Sequence, residues 1–234
     1  ITGWSVNYQE GTFKFRHLTH DPNDIRFLGK TYRSSKGKGR LERGEEALRD
    51  LARHPSTARF IATKLARHFI ADNPPKKAVE ALERTFLRSR GDLRQTYETL
   101  IGLDEAWQDG LPKYKTPVEL IISSARLANS DQKLTPDFLR TSLKELGGTP
   151  FTAISPAGFP DTAQELLGPD ALIRRVNWAQ YAVDELSFAL PPANSAQLAL
   201  GNTLHRNSYQ TITRAGDRNT AYALLLASPE FQRR

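Results

Sequence analysis

His17 and His20 stand three residues apart in HLTH, and Asp21 follows at once in HLTHDPND. Imidazole and carboxylate are the side chains that most readily pass a proton or hold a metal, so chemistry is sought here first. On a helix this spacing would aim both rings at one ion. Here the pair follows the strand-like TFKFR and precedes the turn former DPND. In an extended chain residues three apart point to opposite faces, so no two-histidine clamp and no metal is expected. Two readings stand. In one, Asp21 and Asn23 cap backbone groups of a turn; in the other, His20 and Asp21 join the distant His54 or His68, as a three-ligand site or as the catalytic site of an enzyme.

His68 poses the same choice within HPSTARFIATKLARHFIADNPP, which reads as an amphipathic helix from Pro55 to about Ala71. Stepping about 100° per residue from Ile61 puts Leu65 and His68 on the same face, so His68 is expected to point inward. A buried imidazole needs partners, and its truncation to alanine would cost roughly 2–4 kcal/mol. Either it ties a core together or it belongs to the His20–Asp21 site. Further along, Arg175 and Trp178 in LIRRVNW could stack as a cation–π pair, reach an acidic group, or join two helices. Together with Lys36, Lys38 and Arg40 of the basic loop SSKGKGR, they are the candidates for binding an anion or a partner. That loop lacks the GxxxxGK[ST] spacing of a phosphate cradle. Ser123 and Ser124 lack the nucleophile-elbow pattern and read as small residues that let helices approach. No motif for a cofactor is present.

The elements that must carry these residues divide unevenly. WSVNY and TFKFR, joined by QEG, form a hairpin signature, and IRFLGKTYR could add one short strand. From Gly44 onward helix signals dominate. Asp92 with Gln95 and Thr116 with Glu119 have the spacing of capping boxes, and Thr-Pro opens two helices, at Thr116 and Thr135. In GPDALIRRVNWAQYAVDEL, Leu172, Val176, Ala179 and Val183 fall on one face. The fold class is therefore mainly α, a multi-helix domain with a small N-terminal β-hairpin element. It is expected as one domain over residues 1–234, with the hairpin and basic loop in 1–43 and helical parts in 44–148 and 149–234.

With 234 residues the chain can build a core from packing alone, and with no Cys it has neither disulfides nor thiolate metal sites. It also holds no Met and opens ITGWS, so a fragment or processed chain is expected. The net charge of +7 favours anionic partners. Its basic residues interleave with acidic ones, as in EALERTFLRSRGDLR, which argues for solvated helix faces over nucleic-acid binding. No apolar run reaches the roughly 20 residues of a membrane span.

TGW at Thr2, HD at His20, HPSTARFIATKLARHF, GDLR, EAW, SPAGFPDT, LGPDALIRRVNWA and LLLASPEFQRR together resemble the bacterial domain-of-unknown-function 1800 family. The matches are spaced over nearly the whole chain. The resemblance implies the C-terminal half of a protein about twice this length, which is often exported and encoded beside a sulfatase-like family, with no activity established. Its implied partners are the missing N-terminal half and a sulfatase-like exported companion. Its implied location is periplasmic or extracellular, with the cytoplasm left open. Two functions follow: an accessory or interaction half, or a hydrolase-like enzyme on an anionic polysaccharide using His20, Asp21 and His68. A single open pocket collecting these groups would favour the enzyme.

Overall fold

A computed structural model describes residues 2–33, 39–108, 113–128, 134–153, 155 and 158–234. The described residues are mainly α-helical, with two small antiparallel hairpins near the N-terminus. The chain gathers into two compact units, residues 1–65 with 75–103, and residues 66–74 with 104–234.

In the first unit, β1 (Thr2–Asn7) pairs with β2 (Thr12–His20). The register runs Asn7 to Thr12 and Trp4 to Phe15, then slips so that Thr2 faces His20. Gly3 sits at the slip with φ +71°, and a Cβ there would lie 2.8 Å from the Arg16 carbonyl oxygen. Only glycine relieves both the left-handed backbone and that contact. The segment after it forms two strands where one was expected, β3 (Ile25–Phe27) and β4 (Lys30–Tyr32). Leu28 and Gly29 both have positive φ, the geometry of a tight two-residue hairpin turn.

Four helices follow: α1 (Gly39–Ala52), α2 (Pro55–Phe69), α3 (Lys76–Arg88) and α4 (Leu93–Ile101). The Trp4 ring lies so close to Gly44 of α1 that a Cβ there would meet it at 2.7 Å. Asp92 caps α4 by accepting from the Gln95 N–H at 3.1 Å, as its spacing predicts. The buried side of α2 differs from expectation: Ala58, Ala62, Ala66 and Ile70 are buried, while His68 is exposed. Small residues recurring every fourth position admit close neighbours, and that stripe outweighs the larger Ile61 and Leu65 on the adjoining face.

The second unit holds α5 (Pro117–Ala128), α6 (Pro136–Glu145), α7 (Ala163–Leu166), α8 (Pro169–Glu185), α9 (Pro192–Leu200), α10 (Arg206–Thr213) and α11 (Arg218–Ala227). The box at Thr116 forms in both directions, its N–H donating to Glu119 Oε2 at 2.8 Å and its hydroxyl accepting from the Glu119 N–H. The core is built from Leu120, Ile121, Phe138, Trp178, Tyr222 and Leu225 with their neighbours. On α8, Ala179 and Val183 are buried as their spacing predicts, but Leu172 and Val176 are exposed and Arg175 is buried in their place. After α11 the chain turns, and Arg233 forms a bridge with Tyr114. Lys113, Lys115, Gln232 and Arg234 exchange backbone hydrogen bonds across it. The last seven residues thus close the unit as a strap. Among the described residues no helix is long and apolar enough to cross a membrane.

Candidate functional site

His20 ends β2, buried, with its Nε2 3.0 Å from Arg43 Nη2. Arg43 also donates to the carbonyls of Asp21 at 2.6 Å and Asn23 at 2.7 Å. A guanidinium has no acceptor, so His20 receives this bond and its other ring nitrogen carries the proton. Asp21 accepts from the Asn23 N–H at 2.9 Å and from its side-chain amide. The backbone bond leads in holding the Asp21 carboxyl below its usual pKa. His17 is exposed and His20 buried, but both rings pack edge-on against Phe15, at 4.9 and 5.5 Å between centres, because the register slip in β2 breaks the alternation that an extended chain would impose. This is a turn clasped by a buried arginine. Arg43 was not singled out in the sequence, and nothing local marks it, because its partners lie about twenty residues upstream.

The other histidines keep separate company. His54 Nδ1 accepts from the Ser56 N–H at the start of α2. His68 belongs to the second unit and lies beside Arg234, whose Nη2 donates to the His68 carbonyl at 3.0 Å. Desolvation on the side it turns to the chain, then the Arg234 cation, lower its pKa below the usual imidazole value. Its ring is exposed, which corrects the expectation of a core histidine. Among the described residues no three His, Asp or Glu side chains gather as a metal site.

Arg175 and Trp178 are core residues and not surface ones. Arg175 donates to Gln232 Oε1 and to the Lys115 carbonyl, both at 2.7 Å, and burial lowers its pKa. It is an inter-segment joint in place of a stack on Trp178. Lys36 and Lys38 lie outside the described residues, as does the side chain of Arg40, whose backbone is in α1. Lys113, buried as Arg43 and Arg175 are, pairs with Asp72 and donates to the Asp161 carbonyl at 2.7 Å. Asp72 also accepts from the Ala163 N–H, so the SPAGFPDT segment is tied to the end of α2.

Two adjoining clefts open along the strap. One, of about 490 Å³, is lined by Lys115, Arg126, Leu198, Leu200, Phe231 and Arg233 among others. The second, of about 690 Å³, is lined by Asn202, His205, Asn207 and Ser208 and shares Thr203, Glu230 and Arg233 with the first. The Lys115 ammonium lies 4.1 Å from the Phe231 ring centre and donates to the Phe231 carbonyl at 2.6 Å. Burial pulls its pKa down to about 8, against the pull of Glu119. Glu230, the one carboxylate in the walls among the described residues, accepts from the His205 N–H at 3.1 Å and the Ser208 hydroxyl at 2.8 Å. A third cleft, of about 280 Å³, is mostly apolar, with Pro117, Val118, Leu146, Phe159 and Leu166 in its walls. None of the three is lined by His20, Asp21, His54 or His68.

A family model described as a protein of unknown function (DUF1800) matches residues 1–233. The chain belongs to the DUF1800 family. No curated protein and no solved structure matches it. Several stretches that carry the DUF1800 resemblance have structural tasks: Gly3 of TGW at the strand slip, Asp161 of SPAGFPDT at Lys113, and Arg175 with Gln232 between α8 and the strap.

Proposed function

We propose that this chain is an interaction half, which docks through apolar helix faces onto the part of the same protein that the family resemblance implies precedes it. One observation carries the reading: the apolar face of α8 is only partly covered. Ala179 and Val183 enter the core, while Leu172 and Val176 of that same face, with Ile173 beside them, remain 47–59 % exposed. An exposed apolar strip that continues a buried one marks a surface for a partner. A separate apolar cleft on another side of α8, with Ala171 and Arg174 beside Val118 and Phe159, adds to the surface on offer. In the first unit, Leu93, Tyr97 and Ile101 repeat the pattern on α4. Export to the periplasm or beyond, and work beside a sulfatase-like companion, belong to the same proposal and rest on the family resemblance.

The test is to produce the preceding segment separately and titrate it with this chain. Covering the wet half of three apolar side chains is worth on the order of 3 kcal/mol, or about 100-fold in affinity. Replacing Leu172, Ile173 and Val176 by Gln is expected to remove that affinity while leaving circular dichroism and the urea midpoint unchanged. Equal affinity for wild type and variant overturns the reading.

A further inference from the structure

The cleft between α5, the end of α9 and the strap carries three cations, two of which, Arg126 and Lys115, keep donors to spare among the described residues. Arg126 is exposed on its wall and makes no hydrogen bond or ion pair among the described residues. Lys115 has one hydrogen bond there, to the Phe231 carbonyl, leaving two of its three donors. Arg233 lies across the Tyr114 ring, 4.7 Å from its centre, and contributes a third positive charge. Among the described residues the one opposing charge in the lining is Glu230, whose oxygens are occupied by Ser208 and the His205 N–H. Beside the cations the wall is apolar: Leu127, Leu198, Leu200 and the edge of Phe231, with Leu198 74 % exposed. A volume near 490 Å³ suits a small molecule.

We infer that this cleft binds a small organic anion, its acid group held by Arg126 and Lys115 and its apolar body lying on Leu198 and Leu200, with the Lys115 amine turned toward the ligand. The chemistry that recognises the ligand is an oxyacid head on a hydrocarbon or aromatic body. An inorganic ion would leave the apolar wall wet, and a neutral apolar compound would leave the cations unanswered. The depressed pKa of Lys115 gives the amine a substantial neutral fraction near pH 8, so an aldehyde carried by such an anion can report on it.

The probe is pyridoxal 5′-phosphate, an aromatic aldehyde whose acid group rests on Arg126 and so leaves Lys115 to face the aldehyde. The neutral Lys115 nitrogen adds to the aldehyde carbon, the carbonyl oxygen leaves as water, and an imine forms. Added borohydride delivers hydride to the imine carbon while solvent supplies the proton on nitrogen, fixing the adduct for peptide mass spectrometry. Lys115 is expected to be labelled at least ten-fold faster than Lys144, an exposed lysine on α6 that serves as internal control. Arg126→Gln should slow labelling of Lys115 about ten-fold, the size of one lost charge-assisted hydrogen bond, without changing Lys144. Since Arg126 is exposed and has no partner among the described residues, that variant keeps the fold. Naphthoate should protect Lys115, while inorganic phosphate at matched ionic strength should not. Labelling of Lys115 at the Lys144 rate, indifference to Arg126→Gln, or equal protection by phosphate would each overturn the inference.

Discussion

Arg175 satisfies two acceptors that no other residue type in its place would reach together. Its fork spans the Gln232 amide oxygen and the Lys115 carbonyl, joining α8 to the strap and to the start of α5. Replacing it with Met keeps an apolar stem but leaves two buried acceptors bare, and a loss of about 2–4 kcal/mol is expected in urea denaturation. Lys should rescue little, because one ammonium cannot span both acceptors in a fixed plane. His68 behaves differently. An exposed ring beside Arg234 has little packing to lose, so His68→Ala should move the urea midpoint by no more than about 0.5 kcal/mol, well below the 2–4 kcal/mol of a buried ring. A larger loss would place the ring in a core. The partners that decide both cases lie far away in sequence, 57 residues from Arg175 and 166 from His68.

Element ends were readable from neighbours within four residues; element faces were not. Asp92, Thr116 and Thr135 cap as their spacing indicates, because a side-chain oxygen and a backbone N–H three residues on need no third party. The face of α2 depends on what packs against it. There the periodicity of large residues pointed to Ile61 and Leu65, whereas the close-packed stripe is Ala58, Ala62 and Ala66. Ala62→Leu should therefore destabilise by about 1–3 kcal/mol through overpacking, although leucine is the stronger match to an apolar pattern. A neutral or stabilising result in a denaturation curve would show room that the fully buried alanine does not suggest. The same limit hid the cleft. Lys115 stands just before α5, Arg126 lies on it and Arg233 is in the strap, far along the chain, and the bridge of Tyr114 to Arg233 gives them a common wall. His20 was visible because histidine is rare, but its partner Arg43 was one arginine among many.

For the whole molecule, charge links fold and cleft. The net charge of +7 is spread over interleaved faces, yet one of its cations, Lys115, is half-buried against Phe231 at an energetic cost. Its folded pKa of about 8 lies below the unfolded value of about 10.4, so between these pH values the unfolded chain binds the extra proton. Stability must then rise with pH across that window, while below pH 8 both states are protonated and the burial penalty is present in full. Tyr32 and Tyr181, whose pKa values burial raises, add a pH dependence of their own. The difference between wild type and Lys115→Met isolates the lysine. Denaturation at pH 7.5, 9 and 10.5 should show wild type gaining on the variant by on the order of 1–2 kcal/mol, reduced from the full linkage value by the solvent that reaches the ammonium through the cleft. A flat difference would mean that Lys115 is as well solvated in the fold as in the unfolded chain. An anion seated on Arg126 and Lys115 should favour the charged amine and shift the gain to higher pH, so repeating the series with naphthoate connects stability to occupancy of the cleft.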